Sequence, residues 1–321
     1  MEPEILGPIL ELFRSPEFAA RTQALGVGAA IQELGPVGTP SRADDSEQRL
    51  TTSATVYQPG KEPNRAFIHR IMDQLALPGS GIIGIDHLRD LAERSARGVP
   101  CLILMEHYSN FDIPCLDYLV RAAGSAEIAE RITAIAGMKL NEESPYVHAF
   151  AEAYTRIVIY PSRSLLKFSD PDALKREQAR SREINMAATR QMIRLKHEGH
   201  MILVFPSGTR YREGDPDTKR GVKEVDSYLK SFDAMVLVSI AGNVLRIHPT
   251  GDMNRDIATR DLVVLNVSEP QSCAEFRDNA RMSAAATDDP KQAVADAVMA
   301  QLETLHDEAE AERRRRLAAD R

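Results

Sequence analysis

Cysteine is scarce in this 321-residue chain. Cys101, Cys115 and Cys273 show neither CxxC spacing nor an even count. A disulfide framework and a cysteine zinc site are therefore not expected; a reducing cytoplasm suits the chain, and the three thiols read best as small buried hydrophobes. Long apolar runs are also missing. None approaches the roughly 20 residues a spanning helix needs, so no transmembrane anchor is expected. Basic charge is not in excess: 40 Lys and Arg face 47 Asp and Glu, a formal net charge of −7. That balance argues against broad coating of nucleic acid, so any anion site must be local. The first residues carry Glu2 and Glu4 where a secretory leader would be basic, which again points to the cytoplasm. The chain has no GxxxxGK[ST], GxSxG or HExxH. The simplest P-loop, serine-hydrolase and zinc-protease readings are thereby removed, and no metal is expected.

What is present is a globular composition, 43% apolar and 27% charged, over a length that suits one large domain or two modest ones. Residues 1–66 read as an N-terminal helical segment followed by a linker, since from Gly35 the chain concentrates Gly, Pro, Ser, Thr and charge. Residues 67–321 read as the main domain. There GIIGI, PCLILME, ITAIAG, RIVIY, MILVF and AMVLVSI recur as short, β-branched apolar runs, the mark of buried strands. Helical stretches lie between them, including DHLRDLAERSARG, IPCLDYLVRAAG and SPYVHAFAEAYT. Alternation of this kind predicts an α/β fold with a mostly parallel central sheet flanked by helices, and places an active site at the strands' C-terminal ends.

The longest helix is expected from Pro171, with Asp170 as its cap, Gly199 just past its end, and Ile184, Ala188, Met192 and Leu195 near one face. A further helix from Lys291 places Val294, Val298, Leu302 and Leu305 together and ends in Arg313–Arg316. That arginine run reads as a solvated helix end, favourable there for its charge, rather than as a lipid contact.

Gly79, Gly81 and Gly84 spell GxGxxG, but LALP before them is a poor strand and IIGI reads as a strand itself. A turn entering the sheet is expected, not a pyrophosphate cradle. More informative is PCLILMEHYSNFDIP, where a strand gives way to His107, with Asp112 five positions on. Across one turn the carboxylate can accept a hydrogen bond from one imidazole nitrogen, leaving the other to take a proton from a hydroxyl. The alternative is an N-cap role for Asp112 and an inert loop histidine. In HMILVFPSGTRYREGDP a strand ends at a turn leading to Arg210 and Arg212. Guanidinium groups bind phosphate bidentately, and a glycine lets backbone amides approach an anion. Alternatively these arginines pair with Glu213 and Asp215. RIVIYPSRS ends likewise at Arg163.

Taken in order, EHYSNFD, AGMKL, RIVIYPSRS, VFPSGTR with its trailing YR, and AMVLVSIAG resemble the four-block pattern of the glycerolipid acyltransferases, whose first block is HxxxxD and whose third is FPxGTR. The chain is most similar to the soluble, plastid-type glycerol-3-phosphate acyltransferases, over roughly Gly81 to Val267. The resemblance implies that His107 is the catalytic histidine and Asp112 its orienting aspartate. It implies that Arg210, Arg212, Arg163 and Lys139 bind the substrate phosphate. Two positions depart from many membrane members of the family: Ser207 stands where they have Glu, and Glu106 where they have Asn. Glu106 either raises the pKa of the base beside it or points away.

The implied reaction is direct transfer of a fatty acyl group from a thioester, on acyl carrier protein or coenzyme A, to the sn-1 hydroxyl of glycerol 3-phosphate. No cofactor is involved. The alternatives are sn-2 acylation of lysophosphatidate, using the same base and clamp, and a non-catalytic lipid- or phosphate-binding protein. Ser109 reads as a turn cap rather than a nucleophile. Leu119 and Val120 read as core rather than acyl groove. Lys219, Arg220 and Lys223 are candidates for docking an acidic carrier, against a plainly solvated loop. At most peripheral contact with a membrane is expected.

Overall fold

The computed structural model describes residues 51–138, 151–251, 256–285 and 289–319. Its strands in chain order are β1 (Tyr57–Gln58), β2 (Gly81–Ile83), β3 (Cys101–Met105), β4 (Ile132–Gly137), β5 (Arg156–Ile159), β6 (Met201–Val204), β7 (Ala234–Ala241), β8 (Leu245–Arg246), β9 (Ile257–Ala258), β10 (Val264–Val267) and β11 (Gln271–Ser272). Its helices are α1 (Glu62–Leu75), α2 (Ile85–Ala96), α3 (Asp112–Ala122), α4 (Ala126–Glu130), α5 (Pro171–His197), α6 (Val225–Ser231), α7 (Cys273–Met282) and α8 (Pro290–Ala319). The chain forms two compact units. One runs through Ile71 and adds Ala136–Gln191 and Ile247–Thr259; the other comprises Met72–Ile135, Met192–Arg246 and Arg260–Arg321.

The second unit is built on strands in the order β4-β6-β3-β7-β10-β2, with β11 also joined to β7. The pairs β4–β6, β6–β3, β3–β7 and β10–β2 are parallel, while β7 pairs antiparallel with β10 and β11. Every residue of β3, β6 and β7 is buried. Strands covered on both faces need apolar side chains on both, which is why these segments read as continuous rather than alternating runs. Helix α2 contributes Leu88 and Leu91 to the core, and α8 contributes Val294, Val298, Leu302 and Ala309 where it packs on β7 and β10. Full burial of each such Leu or Val is worth about 1.5–3 kcal/mol. Leu119 and Val120 of α3 are core residues, as expected.

The six apolar runs all form strands, and the sheet is mostly parallel. Helix α1 runs from Glu62 to Leu75, across the boundary expected at residue 67. Residues 1–50 of the expected N-terminal segment, and most of SPYVHAFAEAYT, lie outside the described residues. The end of the expected linker contains β1, which pairs antiparallel with β5 in the first unit, Tyr57 opposite Ile157. The Asp170 carboxylate caps α5, accepting from the Ala173 amide at 2.6 Å, and Gly199 follows the helix with a left-handed φ of +83°. The longest helix is nevertheless α8, with 30 residues against 27 for α5. Strand β2 sits inside the GxGxxG stretch rather than before it. Gly84 does precede a helix, at φ +71°, where an added Cβ would lie 2.5 Å from the Val267 carbonyl oxygen. The glycine serves close packing against β10.

All three cysteines are buried, and burial pushes the thiols of Cys101 and Cys273 up to about 12. The arginine run at the end of α8 is not simply solvated. Arg314 pairs with Glu310, Arg315 and Arg316 with Glu312, and Arg313 with Asp261. Among the described residues no helix is long and apolar enough to cross a membrane.

Candidate active site

Strands β3 and β6 are parallel neighbours with Leu104 opposite Val204, so the chain leaves both at the same sheet edge. Past β3 come Glu106 and His107; past β6 comes Phe205. The two loops are joined. The Tyr211 amide donates to the His107 carbonyl at 2.8 Å, and the Phe205 ring stacks on the His107 imidazole, centroids 3.9 Å apart.

Asp112 is the first residue of α3, yet its carboxylate turns back into the preceding loop instead of capping the helix. Its Oδ2 accepts from the Tyr108 amide at 2.7 Å, from the Ser109 amide at 2.9 Å and from His107 Nδ1 at 2.9 Å. Ser109 Oγ donates to Oδ1 at 3.2 Å and accepts from the Phe111 amide at 2.9 Å. The N-cap alternative for Asp112 is thus excluded, and Ser109 is engaged as a turn-forming residue. The Asp112 side chain is 2% exposed and that of His107 17%. Holding Nδ1–H against a buried carboxylate leaves Nε2 as the lone-pair nitrogen, the arrangement of a general base.

The loop after β6 carries the two arginines on either side of Tyr211. Gly208 takes φ +64°, and its amide closes a turn onto the Phe205 carbonyl at 3.0 Å. Ser207 Oγ donates to the Thr209 carbonyl at 2.7 Å. The Arg212 amide donates to Thr218 Oγ1 at 2.9 Å. Arg210 is buried and Arg212 exposed. His107, Asp112, Arg210 and Arg212 therefore sit on two adjoining, hydrogen-bonded loops. Arg163 belongs to the first unit, where it is exposed in a short 3-10 turn, Ser162–Lys167. Lys139 lies outside the described residues. Of the three cations considered for carrier docking, Lys219 pairs with Glu303 of α8 and lies over the Tyr211 ring, 5.6 Å from its centroid. Arg220 and Lys223 are on the same stretch, and both are accessible.

A second cluster adjoins the first. The Glu106 carboxylate is 3% exposed. Its Oε2 accepts from the Ile240 amide of β7 at 3.0 Å and meets His306 Nδ1 of α8 at 2.9 Å, while Oε1 accepts from the Tyr108 hydroxyl at 3.3 Å. The Tyr108 ring lies between His306, stacked at 5.4 Å, and Tyr211, edge-on at 5.6 Å. Burial works to lower the His306 pKa, but the hydrogen bond and charge of Glu106 outweigh it and hold it above the usual histidine value. Glu303 adds to the rise and Lys219 opposes it. Burial, reinforced by the Glu106 charge, raises the Tyr108 hydroxyl, so it stays a donor. Sequence reasoning did not find His306, Tyr108 or the stacking role of Phe205. One signal for His306 was available: it follows Leu302 by four positions and precedes Ala309 by three, which puts it beside the buried face of α8. Among the described residues, no group of three or more His, Cys, Asp or Glu side chains could hold a metal ion.

An α/β sheet presenting a His–Asp pair and an arginine-bearing glycine turn at its carboxyl edge defines a class of protein suited to moving a proton beside an anionic substrate. The class is narrowed by a family model described as acyltransferase, which matches residues 88–290. The match covers more than half of the chain, and the protein belongs to that family, within the glycerolipid acyltransferase superfamily. No individual curated protein matches the chain significantly. The chain is thus an acyl-transferring enzyme of lipid metabolism.

Proposed function

We propose that the protein acylates the sn-1 hydroxyl of glycerol 3-phosphate from an acyl carrier protein or coenzyme A thioester, as the soluble plastid-type enzymes it resembles do. His107 is the general base and Asp112 its orienting partner. Arg210 and Arg212 hold the phosphate, helped by Arg163 and Lys139. His107 Nε2 takes the hydroxyl proton as the oxygen attacks the thioester carbonyl. The tetrahedral adduct collapses, the C–S bond breaks, and the imidazolium returns its proton to the departing thiolate. No acyl-enzyme and no metal take part. A thioester is already activated, so orientation and base catalysis account for much of the rate. The protein works in the cytoplasm, with at most peripheral membrane contact.

The observation that carries this reading is the 2.9 Å contact of His107 Nδ1 with Asp112 Oδ2, on a loop tied to the arginine turn by the Tyr211 amide. Purified protein is incubated with labelled glycerol 3-phosphate or lysophosphatidate and with each thioester donor. Acylation of glycerol 3-phosphate is expected, lost in His107→Ala with an unchanged circular-dichroism spectrum. Acylation of lysophosphatidate alone makes the enzyme an sn-2 acyltransferase. Absence of any transfer leaves a binding protein, and turnover retained in His107→Ala removes the base.

A further inference from the structure

We propose that His306, on a helix that begins where the acyltransferase match ends, is a positioning residue for acyl transfer: it balances the buried Glu106 carboxylate, whose residue immediately precedes His107 in the chain. The inference rests on His107 being the base.

Strand β3 stops at Met105, while β7 runs on to Ala241. The Ile240 amide therefore lies past the end of its parallel neighbour, and the Glu106 side chain supplies the acceptor a longer β3 would have offered. A carboxylate suits that place, because it can accept from the amide and from the Tyr108 hydroxyl together. Yet a carboxylate only 3% exposed needs compensation. It is also one residue from His107, where an unbalanced negative charge favours the protonated imidazole and withdraws the base from use. His306 meets this need at 2.9 Å.

The groups facing His306 are Glu106 at the end of β3, Tyr108 in the next loop, Lys219 from the turn after β6, and Glu303 on α8 itself. Two of the four are carboxylates and one is a cation, so the surroundings favour the charged imidazole, in keeping with its raised pKa. Helix α8 is fixed in position by its packing on β7 and β10 and by Asn266 Nδ2, which donates to the Leu305 carbonyl at 3.2 Å and to Glu308 at 2.9 Å. The family match ends at residue 290. Glu106 and His306 therefore form a buried charge and its counter-charge, one supplied by the end of β3 and the other by α8.

The test is the pH dependence of kcat/KM in wild type, His306→Asn, Glu106→Gln and the double variant, with His306→Gln as a second neutral replacement. In His306→Asn the acid limb is expected to move to higher pH by about half a unit or more, because a nearby bare charge acts with that strength. The limb returns to the wild-type position in the double variant, which carries no charge to balance. A merely architectural role lowers rate or stability without moving the limb, and without rescue by Glu106→Gln. The proposal is overturned if the limb stays in place in both His306 variants, or if the double variant keeps the displacement. The pairing is also read without turnover. The His306 imidazole, followed by NMR, should titrate at lower pH in Glu106→Gln, and an unmoved midpoint overturns it. Turnover surviving in His107→Ala instead overturns the assignment of the base and leaves the NMR result standing.

Discussion

The Phe205 ring lies on the His107 imidazole with planes inclined by only 14°. Phe205 is the first residue past β6, and His107 the second past β3, so the stacking depends on the parallel register that sets Leu104 opposite Val204. With Asp112 holding Nδ1, the stacked ring restricts the remaining freedom of the imidazole to tilt.

Phe205→Ala is expected to lower kcat about ten- to a hundredfold, the order of loss when a reacting group is misplaced by about 1 Å. KM for the acceptor should stay nearly constant, since the Arg210 and Arg212 side chains proposed to hold its phosphate are untouched. Phe205→Tyr should keep most of the rate. Steady-state kinetics of the two variants check this.

Asp112→Asn keeps the size of the side chain but removes the charge that stabilises the imidazolium. A fall in kcat of about 10²–10⁴-fold is expected, with a native circular-dichroism spectrum. Asp112→Ala also strips the Tyr108 and Ser109 amides of their acceptor. It should lose about 1–3 kcal/mol per stranded amide in urea denaturation.

Ser109→Ala separates the two readings of that hydroxyl. Its bonds to Asp112 and the Phe111 amide predict a loss of about 1 kcal/mol in stability. Activity should fall less than about tenfold, as befits a residue that only supports the orienting carboxylate. Intact-protein mass spectrometry with thioester donor alone should show no added acyl group. A stable acyl adduct lost in this variant makes Ser109 the nucleophile.

The raised His306 pKa links folding to pH. In the unfolded chain this group titrates near 6.5, and in the folded protein above that value. Its contribution to stability is therefore fully present below pH 6.5 and is lost as pH rises through the raised folded value. The gap in unfolding free energy between wild type and His306→Asn should narrow over that interval, as urea denaturation at a series of pH values will show.

The three thiols should resist a disulfide reagent at pH 8 in the native protein and react fully in denaturant. They are at most 2% exposed, and burial raises all three. Thiolate is the reactive form, so a raised pKa and lack of access act together. Rapid labelling of even one cysteine in the native state contradicts this packing.

Much of the sheet was legible because buried parallel strands need apolar side chains on both faces. Cys101–Met105, Met201–Val204 and Ala234–Ala241 announce themselves without reference to their neighbours. The His107–Asp112 pair was legible because its members are five residues apart across one turn, a distance the local chain geometry sets. Which imidazole nitrogen meets the carboxylate was not legible, since both Nδ1 and Nε2 fit the spacing. The balance of Glu106 was equally hidden: its partner is 200 residues away, and only the packing of α8 on β7 and β10 brings it there.

The order of strands and helices, the His–Asp spacing and the glycine turn before Arg210 were thus determined by the sequence itself, through periodicity and local turn chemistry. The stacking of Phe205 on His107, the tie between the two loops through Tyr211, and the pairing of Glu106 with His306 were decided by tertiary structure alone. Such contacts join residues whose separation along the chain says nothing of their distance in space, and they exist only once the buried faces of strands and helices have chosen their neighbours.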